Sequence, residues 1–435
     1  MNENYKQKKN LFRFLLEETM SKLLKVLKQK YRKKTRALTE FNISINLSLH
    51  TFRIISKIKL FNYIQQVNDG FKNLHHFSIT SQKKNKMILK TKYAVAALLT
   101  TFLVSSGLKA QTKAINIESS YITDPPLTTN SHASTLVEYK PNEILAAWFG
   151  GKYEGSKDVG IYISAYKDKK WSAPKELIQP LIKGTDTLPC WNPVLFKAKS
   201  QNLYLFYKTG KNPREWFGAM IVSKDNGTTW GEPKYLPDGI YGPIRNKPIE
   251  TIPGIILCGS STESVNTDEW RIHVEEYTEA TDSWKKIAVE NRQNFNVIQP
   301  AFLIHSATDI QMLSRSKHNK IVSSWSGDNG KSWIRTNTIN VINSNSGIDA
   351  LTINKNLFLL VNNPLPKGKD WFNGRNILDV EYSKDGLNWK KLFDLEKQEK
   401  GEFSYPAIIQ TTDKKVHVLY TYDRKYIKHT AFDLN

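Results

Sequence analysis

The chain contains 435 residues, with 63 Lys and Arg against 41 Asp and Glu, and its formal net charge is +22. No metal-ligand cluster, phosphate-cradling glycine loop or dinucleotide fingerprint occurs in the sequence, so we predict neither a metal nor a cofactor. Two cysteines, Cys190 and Cys258, are too few for a disulfide scaffold, so we expect two buried thiols, with a bridge between them as the alternative.

The excess of positive charge is concentrated at the N-terminus. Residues 1–86 contain 19 Lys and Arg against 5 Asp and Glu and show no persistent helix or strand period. A basic block alone does not indicate nucleic-acid binding, because solvated lysines explain it equally well. We predict that translation begins at Met87 and that residues 1–86 are a start-site artefact. A nucleic-acid-binding arm and a cytoplasmic tail before a signal anchor are the alternatives.

Residues 87–110 have the organisation of a secretory signal peptide. A short basic stretch follows Met87, residues 93–104 are apolar, and Leu108-Lys109-Ala110 supplies the small-residue end. The apolar run is too short, and too often interrupted by Ser and Thr, for a good transmembrane helix. We therefore predict a periplasmic or extracellular mature protein, residues 111–435, with no stable membrane span.

A short turn motif recurs in the second part of the chain. Residues 223–230 and 326–333 both spell S-x-D-x-G-x-x-W, and residues 383–389 repeat this Asp box with one residue fewer. Asp and Gly close a tight turn, Ser bonds the turn's own backbone, and Trp packs the hairpin onto its neighbour. Degenerate copies end at Trp171 and Trp284. The five tryptophans recur at intervals of roughly 50 residues, which indicates a β-propeller.

A second repeated element sets the number of blades. Six strand-like segments, each followed by a second strand, begin at Ser134, Pro193, Pro248, Pro300, Asp349 and Pro406. The sixth copy ends after three strands, and residues 114–121 can supply its fourth. Pairing the first strand with the last would close the ring and remove both sheet edges. We predict an all-β fold, a six-bladed β-propeller of four-stranded antiparallel blades.

Asp boxes on a six-bladed propeller with these intervening segments resemble the sialidase superfamily. The bacterial BNR-repeat group of predicted neuraminidases is more similar still, and the resemblance covers residues 115–435. It implies an exo-acting glycoside hydrolase. In sialidases, three arginines grip the substrate carboxylate, an Asp is the acid/base, and a Tyr nucleophile is helped by a Glu. Asp boxes also occur in propellers without sialidase activity, so this catalytic set is the informative comparison.

Three members of the set have counterparts here. Arg315 ends a second strand and Arg375 opens the next comparable strand, as in sialidases, and the planar guanidinium suits a carboxylate because it makes two parallel bonds. Asp158 lies on the first-blade loop that carries the sialidase Asp. We predict that Asp158 is the acid/base, with its pKa raised by the cleft. Glu154 on the same loop is the alternative, and solvent-facing side chains are the structural alternative for all of them.

Three positions depart from the sialidase pattern. His132 stands where the R-I-P-x-L motif has its arginine, Gln299 replaces the assisting Glu, and Phe403 occupies the place of the tyrosine. Tyr405 lies two residues further on, so it would point to the same face of the strand and could replace the nucleophile. His132 could replace an arginine or act as the base.

Other polar and aromatic residues lie at equivalent points of successive blades, near the axial mouth. Six blades converge their loops at that point, which favours ligand binding there. The aromatic members could instead belong to the core. Together with Gln299, the predicted substrate-binding residues are Arg245, Lys247, Glu263, Arg271, Trp191 and Asn192.

The sequence therefore predicts a secreted exo-acting glycoside hydrolase that removes a terminal carboxylated sugar from an acidic glycan. The sugar is sialic acid by resemblance, or a uronic or other acidic sugar because the catalytic set is altered. Retention through Tyr405 and an inverting route through activated water are both open. The alternatives are a carbohydrate-binding propeller without catalysis and a polysaccharide lyase acting on uronates.

Overall fold

The computed structural model describes residues 112–370 and 372–435, so the predictions for residues 1–86 and for the signal peptide at 87–110 lie outside the described residues. The described chain forms a six-bladed β-propeller, which confirms the predicted fold class. No helix among these residues is long and apolar enough to cross a membrane.

The first strand of the propeller completes its last blade. Strand β1 (Ala114–Tyr121) pairs with the final strand of the chain, and Ala114 lies opposite Leu434. The predicted closure of the ring is therefore confirmed. In this blade the strand order is β1-β27-β26-β25, so the N-terminal strand is the outermost one and supplies the fourth strand that the C-terminal part lacks.

Blades one to three follow in chain order. The first blade contains β2 (Asn130–Lys140), β3 (Glu143–Gly151), β4 (Gly160–Lys167), β5 (Lys170–Trp171) and β6 (Lys175–Ile178). A separate hairpin comprises β7 (Leu181–Lys183) and β8 (Asp186–Leu188). The second blade contains β9 (Cys190–Lys197), β10 (Leu203–Thr209), β11 (Phe217–Ser223) and β12 (Lys234–Tyr235). The third contains β13 (Ile249–Ile252), β14 (Ile255–Glu263), β15 (Trp270–Thr278) and β16 (Ser283–Ala288).

Blades four to six repeat this order. The fourth contains β17 (Val297–Ile304), β18 (Ile310–Ser316), β19 (Lys320–Ser326) and β20 (Ile334–Ile342). The fifth contains β21 (Asp349–Asn354), β22 (Leu357–Asn362), β23 (Ile377–Ser383) and β24 (Trp389–Lys397). The sixth combines β1 with β25 (Phe403–Gln410), β26 (Val416–Tyr422) and β27 (Tyr426–Leu434).

The Asp boxes join the third strand of a blade to the fourth. In the box of the fourth blade, Ser326 Oγ accepts a bond from the Gly330 backbone N–H at 2.8 Å, and Asp328 accepts one from the Ser332 N–H at 2.9 Å. The Trp333 indole donates to the Gly330 carbonyl at 3.1 Å and its ring is buried. These contacts are the predicted ones: the polar residues close the turn and the tryptophan packs the hairpin.

The apolar core lies between neighbouring blades. Leu145 of the first blade and Leu205 of the second belong to one buried cluster, while Leu257 and Met312 join the third blade to the fourth. Full burial of such a side chain contributes roughly 1.5–3 kcal/mol relative to exposure. Cys190 and Cys258 are buried and unbridged, which confirms the expectation of two thiols.

Four of the six innermost strands carry a β-bulge close to their first residues. In each bulge one non-glycine residue has a left-handed backbone, and these residues are Ala133, Asn192, Gln299 and Tyr405 (φ 53°, 36°, 57° and 51°). Bulges re-aim side chains and are frequent beside functional sites, and such strained residues persist only where their surroundings hold them. The bulges therefore mark one end of the propeller axis as the place to look for a site.

Candidate active site

Arginines from neighbouring blades surround Tyr405 at this end of the axis. Arg315 Nη1 donates to the Tyr405 hydroxyl at 2.9 Å and to Gln299 Oε1 at 3.2 Å. The guanidinium carbon of Arg245 lies 5.0 Å from the centre of the Tyr405 ring. The charge of Arg375 also acts on the phenol. Blades three, four and five thus each supply one arginine to a tyrosine of blade six.

Arg245 has unused hydrogen-bonding capacity. Its side chain is 3% exposed, and Nη1 donates to Asn246 Oδ1 at 2.5 Å. Nε and Nη2 are buried without a hydrogen-bond partner among the described residues. Burial lowers the pKa of Arg245 to about 10, although the Asp349 charge opposes this. Buried donors are normally bonded, and the Nε–Nη2 edge of a guanidinium presents two parallel N–H groups that fit a carboxylate.

Arg375 is held by a carboxylate that also holds a fourth arginine. Arg375 Nη1 donates to Glu402 Oε1 at 3.0 Å, and Arg424 Nε donates to Glu402 Oε2 at 2.8 Å. Ser404 Oγ donates to Glu402 as well, at 2.9 Å. Arg424 Nη1 also bonds Glu154, which ties the first-blade loop to the sixth blade. The network fixes Arg375 in place beside the tyrosine.

The phenol of Tyr405 is set up to lose its proton. Burial alone would raise its pKa, but the charges of Arg315 and Arg375 and a hydrogen bond with Gln299 act in the opposite direction. The net result is a pKa below the usual value for tyrosine, although the Glu154 charge opposes it. Positive charge beside a phenol stabilises its phenolate, which is the nucleophilic form.

His132 lies against the other side of the tyrosine. The two ring centroids are 4.2 Å apart, and His132 Nδ1 is 2.8 Å from Thr421 Oγ1. The Nε2 atom is buried and has no partner in the described part of the chain. Burial first, and then the charge of Arg424 and the arginines around Tyr405, lowers the pKa of His132 well below 6.5. The imidazole is therefore neutral, and its lowered pKa makes it a weak proton acceptor.

Asp158 lies on an exposed loop beside the site. It accepts hydrogen bonds from the Ser156 hydroxyl and from the Lys152 backbone N–H, the latter at 3.1 Å. The Ser156 bond is the main reason that the pKa of Asp158 is lowered. The expectation of a raised pKa is therefore wrong, because these donors stabilise the carboxylate. The acid/base role of Asp158 stays a prediction.

Glu263 has the opposite environment. It ends β14 directly opposite Trp270, and it is partly buried. Burial raises its pKa even though Arg315, Arg214 and Lys317 all act to lower it. The Arg315 guanidinium carbon is 5.3 Å from the Trp270 ring centre, so Glu263 is separated from the Tyr405 site by one arginine side chain.

The family assignment rests on a match over residues 142–418 to the model of the BNR repeat-like domain. The chain belongs to this family. No functionally curated protein matches the chain.

Several solved structures share the fold of this chain. A protein of unknown function from Dyadobacter fermentans is 15% identical, with a TM-score of 0.59, over 75% of this chain and 100% of that one. The NanB sialidase from Streptococcus pneumoniae is 12% identical, with a TM-score of 0.55, over 72% and 70%. The Trypanosoma rangeli sialidase is 13% identical, with a TM-score of 0.57, over 73% and 60%. At this identity the likeness establishes the sialidase-like propeller fold alone.

Two further cations, Lys247 and Arg271, are predicted to bind substrate and do not contact Tyr405. Lys247 Nζ contacts Asp349 Oδ2 at 2.7 Å and faces a cavity of about 550 Å³, at the far ends of β2, β9 and β25 from Tyr405. Arg271 donates to the Trp270 carbonyl at 3.0 Å and to Asn294 Oδ1 at 2.6 Å. Neither shows the unbonded buried donors of Arg245, and the substrate-binding roles of both stay predictions.

Trp191 and Asn192 are part of the packing beneath the mouth. Trp191 is buried, donates its indole N–H to the Gly210 carbonyl at 2.8 Å and contacts Trp216 edge to face at 6.0 Å. Asn192 Nδ2 bonds the Ile244 carbonyl at 3.3 Å. The core alternative therefore describes Trp191 better than a sugar-stacking role.

The prediction that Tyr405 and Phe403 point to the same face of the strand is wrong. Phe403 packs in a core cluster with Leu359, whereas Tyr405 packs against Ala133. The two side chains have different surroundings because Tyr405 has a left-handed backbone inside a bulge. The bulge, rather than the alternation of a regular strand, turns the phenol toward the arginines.

Sequence reasoning missed the residues that support the cluster. Glu402 stands just before Phe403, and Arg424 lies in the tight hairpin between β26 and β27 with φ 56°. Asn345 accepts from Arg315 Nε at 3.2 Å through Oδ1. Nothing in the local sequence separates Arg424 from an ordinary solvated turn residue.

The described residues contain no group of three or more His, Cys, Asp or Glu that could hold a metal ion.

Proposed function

We propose that this protein is a glycoside hydrolase that removes a terminal carboxylated sugar from acidic glycans. The observation that carries the proposal is the unbonded Nε–Nη2 edge of buried Arg245, beside Arg315 and Arg375. Buried cations and unbonded buried donors are costly, and a carboxylate relieves both costs at once. A neutral sugar would leave the charges uncompensated.

The carboxylate clamp would differ from the one that the sialidase resemblance implies. His132 stands where the first-blade arginine is expected, and Arg245 from the third blade would take over as the third cation. Arg315 would contribute a second contact, and Arg375 would be held in position by Glu402. A substrate carboxylate held by such forks orients the rest of the sugar ring.

The chemistry would begin at Tyr405. The phenol first gives its proton to solvent, and the phenolate oxygen then attacks the anomeric carbon while a carboxylic acid protonates the departing glycosidic oxygen. The lowered pKa of Tyr405 supports this step. Residues 87–110 carry the signal-peptide pattern, so we place the reaction in the periplasm or outside the cell.

A polysaccharide lyase is the second candidate, and the contact between His132 and Tyr405 favours it. In a lyase, a base removes the proton beside a uronate carboxylate, and the bond to the leaving oxygen then breaks to give an unsaturated product. Arginines around the carboxylate would make that proton more acidic. The ring contact at 4.2 Å would bring a phenol and an imidazole to the same substrate.

The test is an incubation of the mature chain, residues 111–435, with sialosides and with uronate-containing oligosaccharides. New reducing ends without ultraviolet absorbance indicate hydrolysis, and new absorbance from an unsaturated sugar indicates elimination. Retention on immobilised acidic glycans without turnover indicates a binding protein. If the chain neither binds nor cleaves any carboxylated glycan, the proposal is wrong.

A further inference from the structure

We propose that Glu263 is the general acid that protonates the glycosidic oxygen, a role that rests on the proposed glycosidase function. Three observations carry it: the state of the other carboxyl groups at the mouth, the surroundings of Glu263, and its position relative to Tyr405.

The other carboxyl groups near the cluster already bond arginine, lysine, hydroxyl or backbone N–H donors. Glu402 is bonded by Arg375 and Arg424, and Arg424 also holds Glu154. Asp158 accepts from a hydroxyl and a backbone N–H, and Asp349 is paired with Lys247. A general acid must carry a proton at the working pH. Because these oxygens accept bonds from protein donors, they are less available to give a proton to a substrate.

The surroundings of Glu263 favour its protonated form. The carboxyl is partly buried against Trp270, which contributes a hydrogen bond, and the charged groups that face it are Arg315, Arg214 and Lys317. All three cations act to lower its pKa, yet burial outweighs them and the pKa is raised. A carboxyl packed against a tryptophan and raised in pKa by burial is a known arrangement for a general acid.

Arg315 connects the surroundings of Glu263 to Tyr405. Arg315 bonds the Tyr405 hydroxyl through Nη1, and its guanidinium lies over the Trp270 ring that faces Glu263. The nucleophile and the acid would thus flank one arginine of the carboxylate clamp. A sugar held by that arginine would lie close to both Tyr405 and the Glu263 carboxyl.

The proton balance closes over two steps. In the first, the Tyr405 phenolate oxygen bonds the anomeric carbon while Glu263 gives its proton to the leaving oxygen, which departs as an alcohol. In the second, water attacks the anomeric carbon and gives its proton to the Glu263 carboxylate. The Tyr405 oxygen leaves as a phenolate, so both groups return to their starting state.

The decisive experiment compares Glu263→Gln on two glycosides of the same carboxylated sugar. One has a nitrophenyl leaving group, which departs without protonation, and the other has an alkyl alcohol. We expect the variant to lose about 10²–10⁴-fold in kcat/KM on the alkyl glycoside and less than about tenfold on the nitrophenyl glycoside. The basic limb of its pH–rate profile should also disappear. Glu232→Gln, an exposed position on the second blade, is the matched control and should match the unmodified protein.

A second variant covers the case in which Glu263→Gln fails to fold. Lys317→Met removes a partly exposed positive charge that lowers the pKa of Glu263, so the basic limb should move to higher pH. Equal losses on both glycosides in Glu263→Gln, or leaving-group dependence in Asp158→Asn with Glu263→Gln unaffected, would overturn the role of Glu263 alone. An unmodified protein that cleaves neither glycoside would overturn the proposed function together with this role.

Discussion

The Asp-box turns and the axial mouth are built from the same repeat but satisfy their polar groups in different ways. In the turns, Ser326 and Asp328 bond backbone N–H groups only a few residues away. At the mouth, Arg315 bonds residues of its own blade and of the sixth, and Arg245 keeps two buried N–H groups unbonded by any described residue. Polar groups that are hydrogen-bonded within one turn stabilise that turn. Polar groups that stay partly unbonded between blades can instead bind a ligand.

The largest effect expected from this contrast is on turnover at Tyr405. Tyr405→Phe removes the hydroxyl that Arg315 bonds while keeping the ring that Arg245 and His132 contact. We expect kcat to fall by about 10⁴-fold or more, with binding of the carboxylated sugar reduced far less. Steady-state kinetics and calorimetric binding measure the two quantities. Unchanged kcat would show that the phenol is not the nucleophile.

The next effect separates binding from stability at Arg245. Arg245→Met should weaken binding of a carboxylated ligand by about 2–5 kcal/mol, because the unbonded Nε and Nη2 donors are lost. The unliganded protein should be as stable or more stable, since a buried and partly unbonded cation is removed. Arg271→Met is the control: its guanidinium already bonds protein groups, so affinity should stay the same. A loss of stability in Arg245→Met without a loss of affinity would contradict the contrast.

Much of the fold, but less of the site, could be predicted from the sequence. The blade count and the closing strand follow from patterns that repeat within each blade, as in the Ser326 turn and β1. Arg315, Arg375 and Tyr405 are predicted from the resemblance to sialidase motifs. The bulge at Tyr405 and the Arg424–Glu402 contact depend on residues from different parts of the chain. No local pattern encodes such contacts, so the sequence could not predict the unbonded Nε–Nη2 edge of Arg245.

Two further histidines sharpen the comparison, because they satisfy each other where His132 does not. His417 Nδ1 and His429 Nε2 are 3.0 Å apart, and burial lowers their pKa values to about 4 and about 3. The unfolded chain, with histidine pKa values near 6.5, therefore binds more protons than the folded chain below that pH. The free energy of unfolding should fall as the pH drops from about 6.5 toward 4, by a few kcal/mol.

Urea unfolding at several pH values checks this expectation. Replacing both residues, with His417→Gln and His429→Gln together, should flatten the dependence of the unfolding free energy on pH between about 6.5 and 4. His132→Gln should flatten this pH dependence less than the double variant does. It should also change turnover, because that imidazole contacts Tyr405. An equally steep slope in the double variant would mean that other groups cause the acid sensitivity.

The smallest expected effect is at the turns themselves. Ser326→Ala removes the acceptor of the Gly330 N–H and the donor to Asp328, both at 2.8 Å, on a side chain that is 1% exposed. We expect a loss of about 1–2 kcal/mol in the free energy of unfolding, measured in urea, with kcat and ligand affinity unchanged. Because the bonds close within one turn, the loss should not reach the arginines. A change in affinity for a carboxylated sugar would show that the turn and the mouth are coupled, and the contrast between local and cross-blade satisfaction would then fail.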